Sequence, residues 1–272
     1  MSTGISILLA TRGRTEILKR SLLSLADRAS DVSNMEILLA FDNDDTATYE
    51  WVEQNVLPEL DSRGVVYNCL GFERLGYIRL NEYYNALCAQ ATGKWLFFWG
   101  DDAIMETQDW DKIILAEQRF RLLRAKAHNE HPIAVFPIVP RHWYDMFGYF
   151  SPHQLNDNWV CQVAYMVNIV ENIPVEVTHD RFDLTGNNND EIYKNRPMLG
   201  GNPADPRDFH HPTWTNRRIA DCEKIAEYLK SQGEDTTWWQ NVKAQKQDPW
   251  EKLAINDVNG QMKQFKISYK KV

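Results

Sequence analysis

The chain lacks any long hydrophobic run. Its apolar stretches, such as Ile5 to Ala10 and Trp95 to Trp99, fall far short of the roughly 20 residues that cross a bilayer, so they read as buried strands. The opening residues lack the basic-then-apolar layout of a secretory signal, because their apolar run sits inside the first core strand; the expected compartment is cytoplasmic. Cysteine is scarce. The four residues Cys69, Cys88, Cys161 and Cys222 form no CxxC pair, which argues against a zinc framework and for buried reduced thiols. Positive charge is also short: 30 Lys and Arg against 38 Asp and Glu give a net charge of -8. A general affinity for nucleic acid or anionic membranes needs clustered basic surface and is not expected. An anionic small-molecule substrate would need local neutralisation by arginines or a metal. No internal repeat is present.

What is there is enough for a substantial core, with 272 residues of which 43% are hydrophobic. The first hundred residues alternate between two periodicities. Ile5 to Ala10 is a strand run, after which Ile17, Leu18, Leu22 and Leu25 recur at helical spacing; Glu36 to Phe41 and then Tyr49, Val52, Val56 and Leu60 repeat the pattern. Val65 to Leu70, Glu82 to Ala91 closed by Gly93, and Trp95 to Trp99 supply a third strand, a helix and a fourth strand. Such alternation predicts a mainly parallel sheet flanked by helices. Further on, the spacing predicts a helix over 109–124, a short strand over 133–139, a late strand over 172–178 and a helix near 217–229. The expected organisation is one domain over 1–212, in two halves divided at 102, followed by a helical and irregular extension over 213–272.

In such sheets the ligand lies beyond the carboxyl ends of the strands. Thr11, Arg12 and Arg14 follow the first strand, Asp42, Asp44 and Asp45 the second, and Gly100, Asp101 and Asp102 the fourth. Two adjacent carboxylates at the end of a strand as apolar as WLFFW need compensation, since an unpaired charge near a core costs several kcal/mol. A divalent cation such as Mn or Mg would supply it, with positions left open for substrate phosphate. The alternative is that the pair simply caps a turn.

Three segments in order, ILLATRGRTEILKRSLLSL, EILLAFDNDD and NALCAQATGKWLFFWGDDA, resemble the GT-A fold glycosyltransferases, close to family 2. The resemblance implies a Rossmann-like α/β domain that uses a nucleoside-diphosphate sugar donor and a saccharide or other hydroxyl acceptor. It places Gly100-Asp101-Asp102 at the family's DxD motif, with glycine in place of the first aspartate. Asp102 then holds the metal, and Asp101 lies beside the donor ribose or the metal's water shell. Asp42 corresponds to the carboxylate that meets the base, although FDND departs from the usual DDGS. Thr11, Arg12, Arg14 and Asp44 join the donor loop, and Arg79 and Asn85 lie on the helix that approaches the donor. Asp157 matches the base that takes the acceptor proton, with a helix-capping role as its alternative. His179 matches the late metal ligand, with the His210-His211 pair as rival, and Asp190 would position a loop or an acceptor hydroxyl. Of Trp143, Tyr144, Tyr149, Phe150 and Trp159, one or two are expected to touch sugar and the others to be core. The QxxRW motif and membrane helices of processive members are missing, which implies transfer of a single sugar. Two other readings stand beside this one: a nucleotidyltransferase, for which the opening loop has too little glycine, and a non-catalytic nucleotide-sugar or carbohydrate-binding protein.

Overall fold

The computed structural model describes residues 4–127, 133–189, 194, 202, 204–244, 254–256 and 262–264. Asp190 and much of the expected extension beyond 244 lie outside these residues. Four strands run parallel at one side of an eight-stranded sheet: β1 (Ile5–Thr11), β2 (Met35–Asp42), β3 (Val66–Phe72) and β4 (Trp95–Phe98), in the order β3-β2-β1-β4. The sheet continues through β7 (Pro137–Pro140), β6 (Leu122–Lys126), β8 (Val170–His179) and β5 (Ala103–Met105). β7 is antiparallel to both neighbours, β6 and β8 are parallel, and β5 runs antiparallel to β8.

The inner strands read as unbroken apolar runs because both of their faces are covered. Leu8, Leu38 and Leu96 point to a layer built with α4 (Leu80–Gln90), α7 (Asn156–Met166) and the long helix α9 (Pro212–Ser231). Their neighbours Ile7, Leu39 and Phe97 point to the opposite layer, with α1 (Thr15–Arg28), α2 (Thr46–Asn55), α3 (Leu57–Ser62) and α5 (Trp110–Ala116). The smaller helices α6 (Arg141–Phe147) and α8 (Phe182–Thr185) follow β7 and β8.

The helix expected over 109–124 is shorter than its pattern. It ends at Ala116, where the Glu117 carboxylate accepts the backbone amides of Gln118 and Arg119 and turns the chain. Leu122 to Lys126 then forms β6, in spite of the helix preference of Leu, Arg and Ala, because this segment fills the gap between β7 and β8. Its Arg124 is only 3% exposed and donates to the Tyr165 hydroxyl at 2.7 Å. The strand expected over 133–139 is confined to Pro137–Pro140, and the late strand is longer than expected, reaching His179. That extra length matters for the site.

Candidate active site

Because β2, β1 and β4 lie side by side and run the same way, their carboxyl ends open onto one crevice. The loop after β1 occupies its middle, and its two arginines fan to opposite sides. Arg12 Nη1 donates to Asp42 Oδ2 at 3.0 Å, and the same guanidinium grips both carboxylate oxygens of Asp44. Arg14 Nη1 donates the other way, to Asp101 Oδ1 at 2.8 Å and Asp102 Oδ2 at 3.3 Å. Thr11 adds a bond from its hydroxyl to Asp101 Oδ2 at 3.0 Å. The turn between them is held by Gly13, whose positive φ of 66° suits glycine and whose amide donates to Asp45 and Thr48.

The Gly100-Asp101-Asp102 turn is fixed from beneath. Ser21 Oγ accepts from Trp99 Nε1 at 2.8 Å and donates to the Gly100 carbonyl at 3.1 Å, while the Tyr84 hydroxyl donates to the Trp99 carbonyl at 3.0 Å. A Cβ on Gly100 would stand 3.1 Å from Asp102 Oδ1 and 3.3 Å from the Phe136 ring. A side chain there would require Asp102 or Phe136 to give by a few tenths of an ångström. The antiparallel pairing of β5 with β8 sets Ala103 opposite His179, and Asp180 N donates to the Asp102 carbonyl at 2.7 Å. His179 Nε2 consequently reaches 3.3 Å from Asp102 Oδ1.

The two aspartates are 8% and 7% exposed and titrate apart. Burial, reinforced by the Asp102 charge and opposed by Arg14 and Thr11, raises Asp101 to about 6. For Asp102 burial also acts upward, but the His179 hydrogen bond and the charges of His179 and Arg14 outweigh it and hold the carboxyl below its ordinary value. Environments that drive neighbouring carboxyls apart are a mark of functional sites.

Among the described residues no group of three or more His, Cys, Asp and Glu side chains forms a metal cage. Asp102 and His179 make a pair instead. Ligand atoms about 2.1 Å from an octahedral ion stand about 3 Å apart, so the 3.3 Å between Asp102 Oδ1 and His179 Nε2 fits two adjacent positions of an Mn or Mg site completed by substrate oxygens. The rival histidines are placed elsewhere: His211 caps α9 by accepting the Thr213 amide, and His210 lies edge-on to Phe209.

Other expected residues sit further out. Asp157 is at the second position of α7, and Leu155 is the capping residue. Its carboxylate is half-buried and accepts the Asn158 amide at 2.9 Å. Arg79 is exposed and forms a two-point pair with Glu82. Asn85 is engaged by the backbone of the segment ahead of α7, accepting from Phe150 N at 2.8 Å and donating to the Ser151 carbonyl at 2.9 Å. Neither Arg79 nor Asn85 joins the charged cluster. Of the five aromatic residues, Trp143, Phe150 and Trp159 are fully buried, and Tyr149 gives its hydroxyl to Asp221 at 2.6 Å.

Sequence reasoning missed two supports. Tyr83 donates to Asp42 Oδ1 and accepts the amides of Leu75 and Gly76, which ties the β2 end to the segment before α4. Asp180, 5% exposed, gathers Arg20, Thr185 and Asn187 and so anchors the loop after His179. Neither carries a local motif; each is recruited by contacts made outside its own element.

No family model and no curated protein matches the sequence. Solved structures do match the fold. S. aureus TarS 1–349 in complex with UDP-GlcNAc aligns with a TM-score of 0.60 at 13% identity, covering 80% of this chain and 66% of that one. The same TarS fragment in complex with UDP gives 0.54 at 13% identity over 98% of both chains. The mannosyltransferase PcManGT from Pyrobaculum calidifontis, in complex with GDP-Man and Mn2+, gives 0.53 at 10% identity, with 90% and 80% covered. The fold is that of the GT-A glycosyltransferases. The crevice bounded by Arg12, Arg14, Asp42 and the Asp101-Asp102 turn lies at the carboxyl ends of its parallel strands. No helix among the described residues is long and apolar enough to cross a membrane.

Proposed function

We propose that the chain is a glycosyltransferase that moves a single sugar from a nucleoside-diphosphate sugar to an acceptor hydroxyl with inversion. The observation that carries this reading is the convergence of two arginines, three buried aspartates and one histidine at four strand ends of a GT-A sheet. Donors bound in the similar structures are UDP- and GDP-linked, so these are the nucleotides to try first.

In this reading Asp42, set by Arg12 and Tyr83, receives the nucleoside, with Thr11, Asp44 and Asp101 around it. Asp102 and His179 hold an Mn or Mg ion, whose charge when bound offsets that of the departing diphosphate. Arg14 keeps Asp102 ionised and oriented. Asp157 accepts the proton of the acceptor hydroxyl, whose oxygen bonds to the anomeric carbon as the bond from that carbon to the phosphate oxygen breaks. The electron pair of the broken bond leaves on the nucleoside diphosphate.

Calorimetry of UDP and GDP with and without Mn tests the reading directly. Wild type is expected to bind one of them in an Mn-dependent way, and Asp102→Ala to weaken that binding by about tenfold or more. Binding that ignores Mn and is unchanged in Asp102→Ala would refute the metal role.

A further inference from the structure

Three consecutive residues of α4 bond to three separate segments. The Tyr83 hydroxyl donates to Asp42 and holds the amides of Leu75 and Gly76. The Tyr84 hydroxyl donates to the Trp99 carbonyl, beneath the Asp101-Asp102 turn. Asn85 serves the segment ahead of α7: its Oδ1 accepts Phe150 N at 2.8 Å and Ser151 N at 3.2 Å, and its Nδ2 donates to the Ser151 carbonyl at 2.9 Å. Both ends of the side-chain amide are thus spent on one loop. The same loop is pinned to the end of β4, where the Phe150 ring stacks on that of Phe98 with centroids 5.8 Å apart.

The bonds continue from that loop into α7. Ser151 Oγ accepts the His153 amide at 3.1 Å and donates to the His153 carbonyl at 2.7 Å, and His153 Nδ1 accepts the Leu155 amide at 3.1 Å. Leu155 caps α7, its carbonyl accepting the Trp159 amide at 3.0 Å, and Asp157 is the second residue of that helix. A continuous run of hydrogen bonds therefore leads from the helix that braces Asp42 and the Asp101-Asp102 turn to the start of the helix that carries Asp157.

We propose that Asn85 is a positioning residue: it sets the start of α7, and with it the Asp157 carboxylate, against the donor crevice, and so acts on the transfer step rather than on donor binding. The inference rests on the glycosyltransferase reading and its assignment of Asp157. A base must stand within hydrogen-bond reach of the hydroxyl it deprotonates, and a displacement of about 1 Å can cost about 100-fold in rate. Asn85 spends its own bonds on Phe150 and Ser151, away from the charges that receive the donor, so its loss leaves the donor's contacts in place.

The test uses water as the acceptor. Release of UDP from UDP-GlcNAc and of GDP from GDP-mannose is followed with Mn for wild type, Asn85→Ala, Asn85→Asp, Asp157→Asn and the variant that combines an Asn85 substitution with Asp157→Asn. Asn85→Ala should lower kcat by about tenfold or more and leave donor KM within about twofold. Asn85→Asp keeps an acceptor for the two amides and should lower kcat by less; it takes the place of Asn85→Ala in the comparison where the latter fails to fold. In the Asp157→Asn background the Asn85 substitution should change kcat by less than about twofold, because the group it positions is already gone, whereas a general loosening of the fold would multiply the two losses. An unchanged kcat in the folded Asn85 variant, a donor KM that rises as kcat falls, or multiplied losses in the combined variant overturns the proposal. Failure of the underlying reading looks different: wild type that releases neither nucleotide removes glycosyl transfer, full turnover in Asp157→Asn removes the base, and either result takes the proposal with it.

Discussion

Acidification should destabilise this fold through His153, and by an amount that the structure sets. His153 is 1% exposed, in the segment that leads into α7 and Asp157. Its Nδ1 accepts the Leu155 amide at 3.1 Å, so its other nitrogen carries the proton and donates to the Arg207 carbonyl, also at 3.1 Å. Only a neutral imidazole can make both bonds. Burial, joined by the Arg218 charge and opposed by the Arg207 carbonyl, depresses the group from 6.5 to about 4. The unfolded chain therefore takes up a proton before the folded one does. Stability is retained above about pH 6.5 and lost progressively as pH falls towards 4, and at about 1.4 kcal/mol per pH unit the loss approaches about 3 kcal/mol. Asp101, raised to about 6, works in the opposite sense, since its folded form holds a proton more readily. A single profile would mix the two. Urea unfolding between about pH 7 and pH 4 should therefore be compared for wild type and His153→Asn, which retains an acceptor without the titration. The variant should lose less stability on acidification, by about 3 kcal/mol at the acid end. Parallel profiles for the two proteins would refute the reasoning.

Other outcomes follow from the same contacts. Arg14→Leu leaves two carboxylates, each under a tenth exposed, without their shared cation, and urea unfolding should show a loss of about 3 kcal/mol; unchanged stability would mean that water already screens them. Asp157→Asn should keep nucleotide binding while single-turnover transfer falls by about 100-fold or more, and full transfer would remove Asp157 from the chemistry. Gly93→Ala places a Cβ 2.6 Å from the Ser6 backbone nitrogen, a contact that demands movement of β1. Thermal unfolding of that variant should drop by several degrees, on a cost of about 1–3 kcal/mol for overpacking, and an unchanged midpoint would show that β1 yields freely.

How legible the site was in sequence depends on how local its cause is. The ends of β1, β2 and β4 could be read because a buried parallel strand writes itself as an apolar run, and the charges after Thr11, Phe41 and Trp99 stand out against it. Asp102 and His179 are 77 positions apart by their numbering, and no spacing rule joins them; the β5–β8 register does. Arg79 and Asn85 looked alike as polar residues on one helix, yet one is solvated beside Glu82 and the other clamps the backbone at Phe150 and Ser151. Which rings of the aromatic stretch stay accessible was illegible for a related reason. Composition shows that rings are present, but whether a ring faces solvent depends on α9, which closes over Trp159 with Phe209 and Asp221.

The sequence by itself determined the alternation of strand and helix, the polar ends of the parallel strands and the resemblance to the GT-A glycosyltransferases. Those properties follow from periodicity and from short segments that keep their meaning out of context. Tertiary structure alone decided that Leu122 to Lys126 is a strand, that Arg12 and Arg14 part to serve opposite sides of the crevice, and that His179, rather than His210 or His211, meets Asp102. Each of these depends on which surfaces the packed sheet covers and which it leaves open, a property of the assembled chain that no window of sequence contains.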